Sequence, residues 1–255
     1  MTETSLHWHA EQFGGGTPSF IWLHGWGQDG SAMKRLAELY KNTGHHTVFD
    51  QPGFGKTPKL ADGAGTADYA DALATELKTI GTGPHILVGH SFGGRVSVQL
   101  AARHPELVQA IILIGGAGLK RRRSLWHKIR ASYFKLLGRV ARLSDQLFGT
   151  KMRDAYVQKF GSADYKNAGP LRPTFVKVVN ENLITEAKAV RCPALLIYGE
   201  DDTEAPPEIG RKYEQLIPIA RFVELKGFDH WDILTRGAYQ CQALINTFLE
   251  DVRND

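Results

Sequence analysis

Cysteine and long apolar runs are both scarce in this sequence of 255 residues. Its two cysteines, Cys192 and Cys241, have neither a C-x-x-C spacing nor a Cys/His ligand spacing, which disfavours a disulfide framework and a metal site. Nowhere do about eighteen uncharged apolar residues follow one another, and the N-terminus lacks the basic and apolar regions of a signal peptide. We therefore expect a soluble protein of the reducing cytoplasm, without a transmembrane segment.

Acidic residues are missing altogether from Leu107 to Ser144, although the whole chain carries a formal charge of only +4. The rest of the chain is therefore net acidic, and the basicity is local. A solvated helix face is the simpler explanation, and a docking face for an acidic carrier protein or an anionic lipid surface is the alternative. Nucleic acid binding is disfavoured because the segment lacks interleaved aromatic residues and any recognisable binding module. The bases are Lys120, Arg121, Arg122, Arg123, Lys128, Arg130, Lys135, Arg139 and Arg142.

With 42% hydrophobic residues, the chain can bury the core of one large α/β domain with an insertion, or of two small domains. Short apolar runs alternate with segments of helical spacing, an order that predicts a mostly parallel sheet with helices on both faces. A last helix is expected from Trp231 to Val252. Strands are expected from Leu6 to Ala10 and at FIWL, HHTVFD, PHILVGHS, VQAIILIGG, CPALLIYGE and ARFVEL.

This alternation stops between Gly116 and Leu195, where helical spacing continues without strands. We expect a helical lid over residues 119–185, inserted into a core formed by residues 1–118 and 186–255. Its first helix carries an apolar stripe that should face the catalytic sheet and line the entrance for substrate. The stripe consists of Trp126, Ile129, Tyr133, Leu136 and Val140, and further helical pieces are expected near Met152 to Phe160 and Arg172 to Leu183.

Two glycine-rich turns point to different chemistry. Gly25, Gly27 and Gly30 form a G-x-G-x-x-G after an apolar run, and Asp50 stands where the acid of a dinucleotide site is expected. Residues 89–93, GHSFG, form a G-x-S-x-G between a strand and a helix. Such a turn projects the serine hydroxyl above the sheet and points the positive end of the helix at a developing oxyanion. The first turn favours nucleotide binding, and the second favours an activated serine.

An activated serine needs a base to take its proton, and that base needs an acid to orient it. Acids follow the strand ALLIYG at positions 200–202, and His230 follows the next strand. The order of serine, acid and histidine along the chain is the order expected of an α/β-hydrolase sheet. Ser91, the acids and His230 are therefore candidates for one catalytic triad.

Five stretches, HGWG, DQPGFG, GHSFGG, GEDDTEAP and DHW, resemble the landmarks of α/β-hydrolase-fold serine hydrolases in order and spacing. The resemblance runs from about Leu6 to the C-terminus and is weakest in the insertion. It implies Ser91 as the nucleophile and His230 as the base. It also implies Asp202, rather than Asp201 or Glu200, as the acid, because the family places the acid three residues after the strand-ending glycine and four before a proline.

The same resemblance implies that the backbone N–H groups of Trp26 and Phe92 form the oxyanion hole, and that no cofactor is needed. The turn with Gly25 then belongs to an ester-hydrolysing site, and dinucleotide binding becomes the weaker interpretation. One departure from the family is Asp229, which stands where a glycine usually precedes the histidine. The residues expected to line the substrate pocket are His24, Trp26, Phe92, Trp126 and Trp231.

From these residues we expect a serine hydrolase that cleaves a small carboxylic ester or thioester through an acyl-enzyme. One alternative is an esterase acting on an acyl chain carried by an acidic carrier protein, as in the pimeloyl carrier-protein methyl esterases, with the basic lid as the docking face. Another, from a different class, is a hydrolase-fold receptor that keeps the triad but binds its ligand with little turnover.

Overall fold

The computed structural model describes residues 7–81, 83–121, 125–160 and 162–254. Within these residues the strands are β1 (Ala10–Gly15), β2 (Ser19–Leu23), β3 (Gly44–Phe49), β4 (His85–His90), β5 (Val108–Ile114), β6 (Ala194–Gly199) and β7 (Ala220–Leu225). They form one sheet in the order β1-β3-β2-β4-β5-β6-β7. Only β1 is antiparallel to its neighbour, and the other pairs are parallel. The predicted mostly parallel sheet is therefore confirmed.

Helices cover both faces of this sheet, as the alternating sequence predicts. α1 and α10 pack against one another on one face, while α2, α3, α8 and α9 cover the other. Within the described residues, no helix is both long enough and apolar enough to cross a membrane. The helices are α1 (Ser31–Glu38), α2 (Thr66–Ile80), α3 (Phe92–Arg103), α4 (Leu125–Phe148), α5 (Met152–Phe160), α6 (Ala163–Asn167), α7 (Arg172–Asn180), α8 (Ile184–Ala189), α9 (Pro207–Leu216) and α10 (Ala238–Asn254).

β2, β4 and β6 are buried along their whole length, and β5 is buried except at Gln109, which explains why their sequences are largely continuous apolar runs rather than alternating ones. Because these strands are parallel, their carboxyl ends meet at one edge of the sheet. That edge brings together the loops that follow Leu23, His90 and Gly199, which lie far apart in the sequence. In open α/β sheets this edge is where ligands bind.

The segment between β5 and β6 is helical, and α4 packs mainly against α5 rather than against the sheet. The predicted direction of the α4 stripe is wrong for its two members whose side chains are described, since Tyr133 and Val140 are 59% and 52% exposed. The described inward face instead includes Leu137 and the buried Ala141. This face lies one residue later along the helix than the predicted one, because packing against α5, not hydrophobicity alone, sets the rotation of the helix. The side chains of Trp126, Ile129 and Leu136 lie outside the described ones.

Both ends of the described chain also differ from the sequence prediction. The first strand begins at Ala10, after Trp8, whose buried ring packs edge-on against Phe49 with centroids 5.4 Å apart. Leu6 lies outside the described residues. The last helix begins at Ala238 rather than Trp231, because a short 3-10 turn, Asp232–Leu234, comes first.

Candidate active site

Ser91 occupies a strained turn between β4 and α3. Its φ of 49° is the only positive value among the described non-glycine residues, a conformation that is costly and concentrates at functional sites. The flanking glycines are required by close packing. A Cβ on Gly89 would lie 2.6 Å from the carbonyl carbon of Gly93, and a Cβ on Gly93 would collide with the carbonyl oxygen of Leu23. The spacing G-x-S-x-G thus follows from a turn that has no room for side chains on either side of the serine.

His230 and Asp202 form a buried pair at the ends of the loops that follow β7 and β6. The His230 Nδ1 atom lies 2.7 Å from the Asp202 Oδ2 atom, and both residues are only 3% exposed. The other carboxylate oxygen of Asp202 accepts hydrogen bonds from the backbone N–H groups of Glu204 and Ala205, at 2.8 and 2.7 Å. With Asp202 ionised, Nδ1 is the protonated nitrogen of the imidazole, which leaves Nε2 free to accept a proton.

His90, the residue before Ser91, makes a hydrogen bond to the backbone of His230. Its Nε2 atom lies 2.9 Å from the carbonyl oxygen of His230, and the two imidazole rings are 4.7 Å apart. Complete burial lowers the pKa of His90 to about 3, so the ring is neutral at physiological pH and donates through Nε2. This contact fixes the backbone of the histidine loop relative to the turn that carries Ser91.

Asp229 stands where the family usually has a glycine before the histidine, and its hydrogen bonds show why glycine is not needed there. Its Oδ1 atom accepts hydrogen bonds from the backbone N–H groups of Trp231 and Asp232, both at 2.8 Å. Asp229 does not have a positive φ, so the turn needs no glycine, and these two hydrogen bonds stabilise the turn locally.

A cavity of about 430 Å³ contains Ser91 and His230 in its wall. No hydrogen bond joins the Ser91 hydroxyl to the imidazole within the described part of the chain; in unliganded sites such bonds are often long and tighten only when substrate binds. Trp26, Phe92 and Trp231, three of the expected pocket residues, also line this cavity. The other lining residues are Arg95, Ala117, Ser162, Asp164, Phe175, Val178, Val179, Glu204 and Ala205.

A second cavity of about 670 Å³ lies on the other side of Trp26 and Trp231. It shares these two residues and Asp164 with the cavity of Ser91. Its wall includes Phe54 and Lys59 from the loop after β3, and Leu171 from the helical segment. The two cavities therefore meet at Trp26 and Trp231, beside the turn of Ser91.

The backbone N–H groups of Trp26 and Phe92, which are expected to form the oxyanion hole, both lack a hydrogen-bond acceptor within the described residues. The turn that carries Trp26 is held in place by Gln28, whose Oε1 accepts from Gly25 N at 2.9 Å. The turn that carries Phe92 is tied to it, because Gly93 N donates to the His24 carbonyl oxygen at 3.0 Å. The two free donors thus belong to loops that are bonded directly to one another.

His24 lies elsewhere than expected. It is completely buried behind the site and lines neither cavity. Its Nε2 atom accepts a hydrogen bond from the backbone N–H of Gln51 at 2.9 Å, and burial lowers its pKa. Asp50 joins the same loops, since its two oxygens accept from Gly30 N at 2.8 Å and Lys56 N at 2.9 Å. The acid that resembled a dinucleotide ligand therefore holds two loops together.

The structure therefore brings together Ser91, Asp202, His230, Trp26 and Phe92 at one edge of the sheet, with Trp231 beside them. The side chain of Trp126 lies outside those that the structure describes. Sequence reasoning missed Gly115, where a Cβ would lie 3.1 Å from Asp202 Oδ2 and 3.2 Å from His230 Nδ1. The only sequence signal for it was the Gly-Gly pair at the end of the predicted strand VQAIILIGG.

Comparison with known proteins places the chain among hydrolases. A family model described as the alpha/beta hydrolase family matches residues 20–238. A 2-hydroxy-6-oxononadienedioate/2-hydroxy-6-oxononatrienedioate hydrolase of Burkholderia vietnamiensis is 24% identical over 251 residues, covering 89% of this chain and 86% of the relative. A pimeloyl-[acyl-carrier protein] methyl ester esterase of Chromobacterium violaceum is 28% identical over 238 residues, covering 86% and 89%. A thermophilic esterase from Thermogutta terrifontis has the same fold, with a TM-score of 0.70 and 20% identity over 96% of this chain and 93% of that one.

Proposed function

The chain belongs to the alpha/beta hydrolase family, and on that premise we propose that it is a serine hydrolase that cleaves a carboxylic ester or thioester. The observation that carries this proposal is the strained Ser91 in one cavity wall with His230, whose Nδ1 is bonded to a buried Asp202. A serine with a base and an orienting acid within reach is the arrangement that nucleophilic acyl transfer requires.

In the proposed reaction, the Ser91 hydroxyl oxygen attacks the acyl carbon while His230 Nε2 accepts its proton. The tetrahedral intermediate collapses, the bond to the leaving alcohol or thiol breaks, and His230 returns the proton to the leaving group. Water then attacks the acyl-enzyme with the same histidine as base, which releases the acid and restores Ser91. Asp202 remains ionised throughout, and it holds the imidazole in the tautomer that accepts at Nε2.

The backbone N–H groups of Trp26 and Phe92 are proposed to stabilise the oxyanion. Each such donor contributes about 3 kcal/mol to the transition state in serine hydrolases. Both donors are free of other acceptors among the described residues, and the Gly93–His24 bond fixes their loops relative to one another. This preorganisation matters because donors that need not move in the reaction cost no reorganisation energy.

We propose residues 119–185 as a lid over the site. The support is that Phe175 and Val178 of α7 and Ser162 line the cavity of Ser91, and that Phe175 packs on Trp26 with ring centroids 5.1 Å apart. The cavity of Ser91 then holds the acyl group. The second cavity, across Trp26 and Trp231, holds the leaving group.

A fluorophosphonate probe tests the serine mechanism. It should label the wild type, and Ser91→Ala should abolish both labelling and hydrolysis of p-nitrophenyl butyrate. Ser162→Ala is the matched control, because Ser162 lines the same cavity but its hydroxyl oxygen accepts a bond from Tyr165 N as a helix cap. Turnover that survives in Ser91→Ala, or labelling that is lost in Ser162→Ala, would contradict the proposal. A single turnover followed by tight retention of the product would favour the receptor function instead.

A second candidate function is hydrolysis of an ester carried by an acidic carrier protein. The carrier-protein esterase among the relatives and the acid-free basic segment both favour it. Arg121 is a poor choice for testing this, because its guanidinium donates to the carbonyl oxygens of Thr203 and Glu204, next to Asp202. Arg139 and Arg142 are both exposed on α4 and belong to the basic segment.

The double variant Arg139→Glu/Arg142→Glu should raise KM for an acyl carrier protein ester several-fold, in a salt-dependent way, and leave kcat/KM for a small neutral ester unchanged. Lys188→Glu/Lys226→Glu, at exposed positions outside the basic segment, is the control for total charge. Equal effects of the two double variants, or equal effects on both substrates, would eliminate docking at α4.

A further inference from the structure

Arg95 is the only lysine or arginine among the described residues that line the cavity of Ser91. It lies one helical turn into α3, with its backbone N–H 3.4 Å from the carbonyl oxygen of Ser91. Ser91 and Arg95 both line this cavity, so the nucleophile and the arginine border the same space.

No carboxylate forms an ion pair with Arg95 among the described residues. Its guanidinium donates to the carbonyl oxygen of Val178 at 3.0 Å. Tyr213 and Glu181 are the groups whose charge acts on it. Both carboxylate oxygens of Glu181 already accept from Thr66, at the backbone N–H and at the hydroxyl. Burial is the largest influence on Arg95 and lowers its pKa. A charge held out of water in this way is costly unless a partner of opposite charge compensates it.

Three other arginines among the described residues have such a partner. Arg103, two turns further along α3, forms two hydrogen bonds with the carboxylate of Asp71, at 2.9 and 2.5 Å. Arg211 and Arg236 pair with Glu224 and Asp232. These three are exposed and paired, whereas Arg95 is partly buried and borders the cavity. Within the described part of the chain, its guanidinium has only a carbonyl oxygen as its hydrogen-bond partner.

The cavity also contains acids, but they act elsewhere. Asp164 and Glu204 both line it, and burial together with the charge of Glu204 raises the pKa of Asp164. Neither acid is among the groups that act on Arg95. Apolar side chains, those of Phe175 and Val179, complete the wall. The cavity thus has a cationic part at Arg95 and a separate acidic part at Asp164 and Glu204. The acidic part would repel a bound anion.

We propose that Arg95 binds a carboxylate at the far end of the acyl chain, so that the substrate is a monoester or thioester of a short dicarboxylic acid. The guanidinium has several N–H donors, and its fork matches a carboxylate with two parallel hydrogen bonds. The bond to Val178 occupies one nitrogen. This inference rests on the proposed function for the role of Ser91, but the recognition of the carboxylate can be measured without turnover.

Binding to the Ser91→Ala variant provides that measurement. Monomethyl adipate and dimethyl adipate have the same chain and the same methyl ester, but only the first carries a carboxylate. Titration calorimetry should show the half-ester binding at least about tenfold more tightly than the diester, since hydrogen bonds to charged groups have roughly this effect or more. Adding Arg95→Gln should remove the preference, and Arg95→Lys should retain part of it, because lysine keeps the charge but not the fork. Arg103→Gln is the matched control on the same helix and should change nothing.

Steady-state kinetics of the active enzyme provides a second test. In proteins with Ser91 intact, Arg95→Gln should lower kcat/KM for the p-nitrophenyl half-ester of adipic acid about 10- to 100-fold, mainly through KM. The same substitution should lower kcat/KM for p-nitrophenyl hexanoate at least about tenfold less than for the half-ester, because this acyl chain carries no carboxylate. Melting temperatures of the variants show whether each one is folded.

Equal affinity for the half-ester and the diester would overturn the assignment, whether or not Ser91 proves catalytic. Equal losses on the charged and neutral substrates in Arg95→Gln would also overturn it, because Arg95 would then only tie α3 to the end of α7. Preferred binding of the half-ester without labelling or turnover at Ser91 would instead refute the proposed hydrolase and leave Arg95 as a carboxylate site.

Discussion

Asp202→Asn tests the proposed triad most directly, because the structure determines how the new amide must lie. In the wild type, one carboxylate oxygen accepts from two backbone N–H groups, at Glu204 and Ala205, and the other accepts from His230 Nδ1. An asparagine can satisfy the two backbone donors only with its oxygen. Its NH₂ group then faces Nδ1, which must become an acceptor, so the imidazole proton moves to Nε2.

An imidazole protonated at Nε2 cannot accept the proton of Ser91. Loss of the orienting aspartate in serine proteases reduces kcat about 10⁴-fold, which corresponds to about 5.5 kcal/mol of barrier. We expect a loss of the same order here, with KM for p-nitrophenyl butyrate changed little, because Asp202 is buried and lines neither cavity. Steady-state kinetics at pH 8 measures both quantities, and the melting temperature reports on folding.

Asp201→Asn is the matched control. It makes the same chemical change at the neighbouring position, where the side chain is exposed, and should leave kcat within about twofold of the wild type. If Asp201→Asn were the damaging substitution, or if Asp202→Asn lost less than about tenfold, the assignment of the acid and the argument from amide orientation would both be refuted.

Two further predictions concern the framework of the site. Gly93→Ala places a methyl group against the backbone of Leu23. This overpacking should cost about 1–3 kcal/mol of stability and lower the melting temperature by roughly 3–10 °C. Gly15→Ala is the control, because a Cβ there meets nothing within 4 Å, and equal melting temperatures of the two variants would show that Gly93 is not required by packing. The pKa of His90 is lowered from 6.5 to about 3 by folding, so below pH 6.5 the unfolded state binds the extra proton and the free energy of unfolding falls as pH falls toward 3. Between pH 6.5 and 5 this one group should lower the free energy of unfolding by about 2 kcal/mol. Urea titrations of His90→Gln should therefore show a free energy of unfolding that depends less on pH than in the wild type. The same pH dependence in both proteins would show that His90 is not held neutral.

The sequence predicts those parts of the fold that depend on local patterns. The family resemblance is confirmed by the family match over residues 20–238, and the parallel sheet by its observed order. Central strands are predictable because burial on both faces leaves continuous apolar runs, and the turn of Ser91 because it excludes side chains at fixed positions. The rotation of α4 and the start of α10 were predicted wrongly, since each depends on contacts that hydrophobic spacing does not encode.

The candidate site likewise contains residues that the sequence predicts and residues that it does not. Ser91, His230 and Asp202 could be nominated because they stand in ordered motifs, although their catalytic roles remain predictions. His24 stands in such a motif as well, yet its imidazole points into the interior and binds Gln51. Arg95 could not be nominated, because its significance depends on the fact that no acid among the described residues forms an ion pair with it. The spacing of residues in a sequence does not reveal which charges pair in the fold.

The hydrogen bond from His90 to the carbonyl oxygen of His230 joins residues 140 positions apart. It closes across β5, the helical segment, β6 and β7, so it can form only after all of these elements have been synthesised and have collapsed. Contacts of such long sequence separation make folding slow, because the entropy of loop closure must be overcome before the contact adds stability. Recovery of the complete site during refolding should therefore lag behind recovery of helical structure. A nascent chain that already contains Ser91 still lacks the histidine loop, so any activity that depends on the proposed triad must wait until His230 has been synthesised.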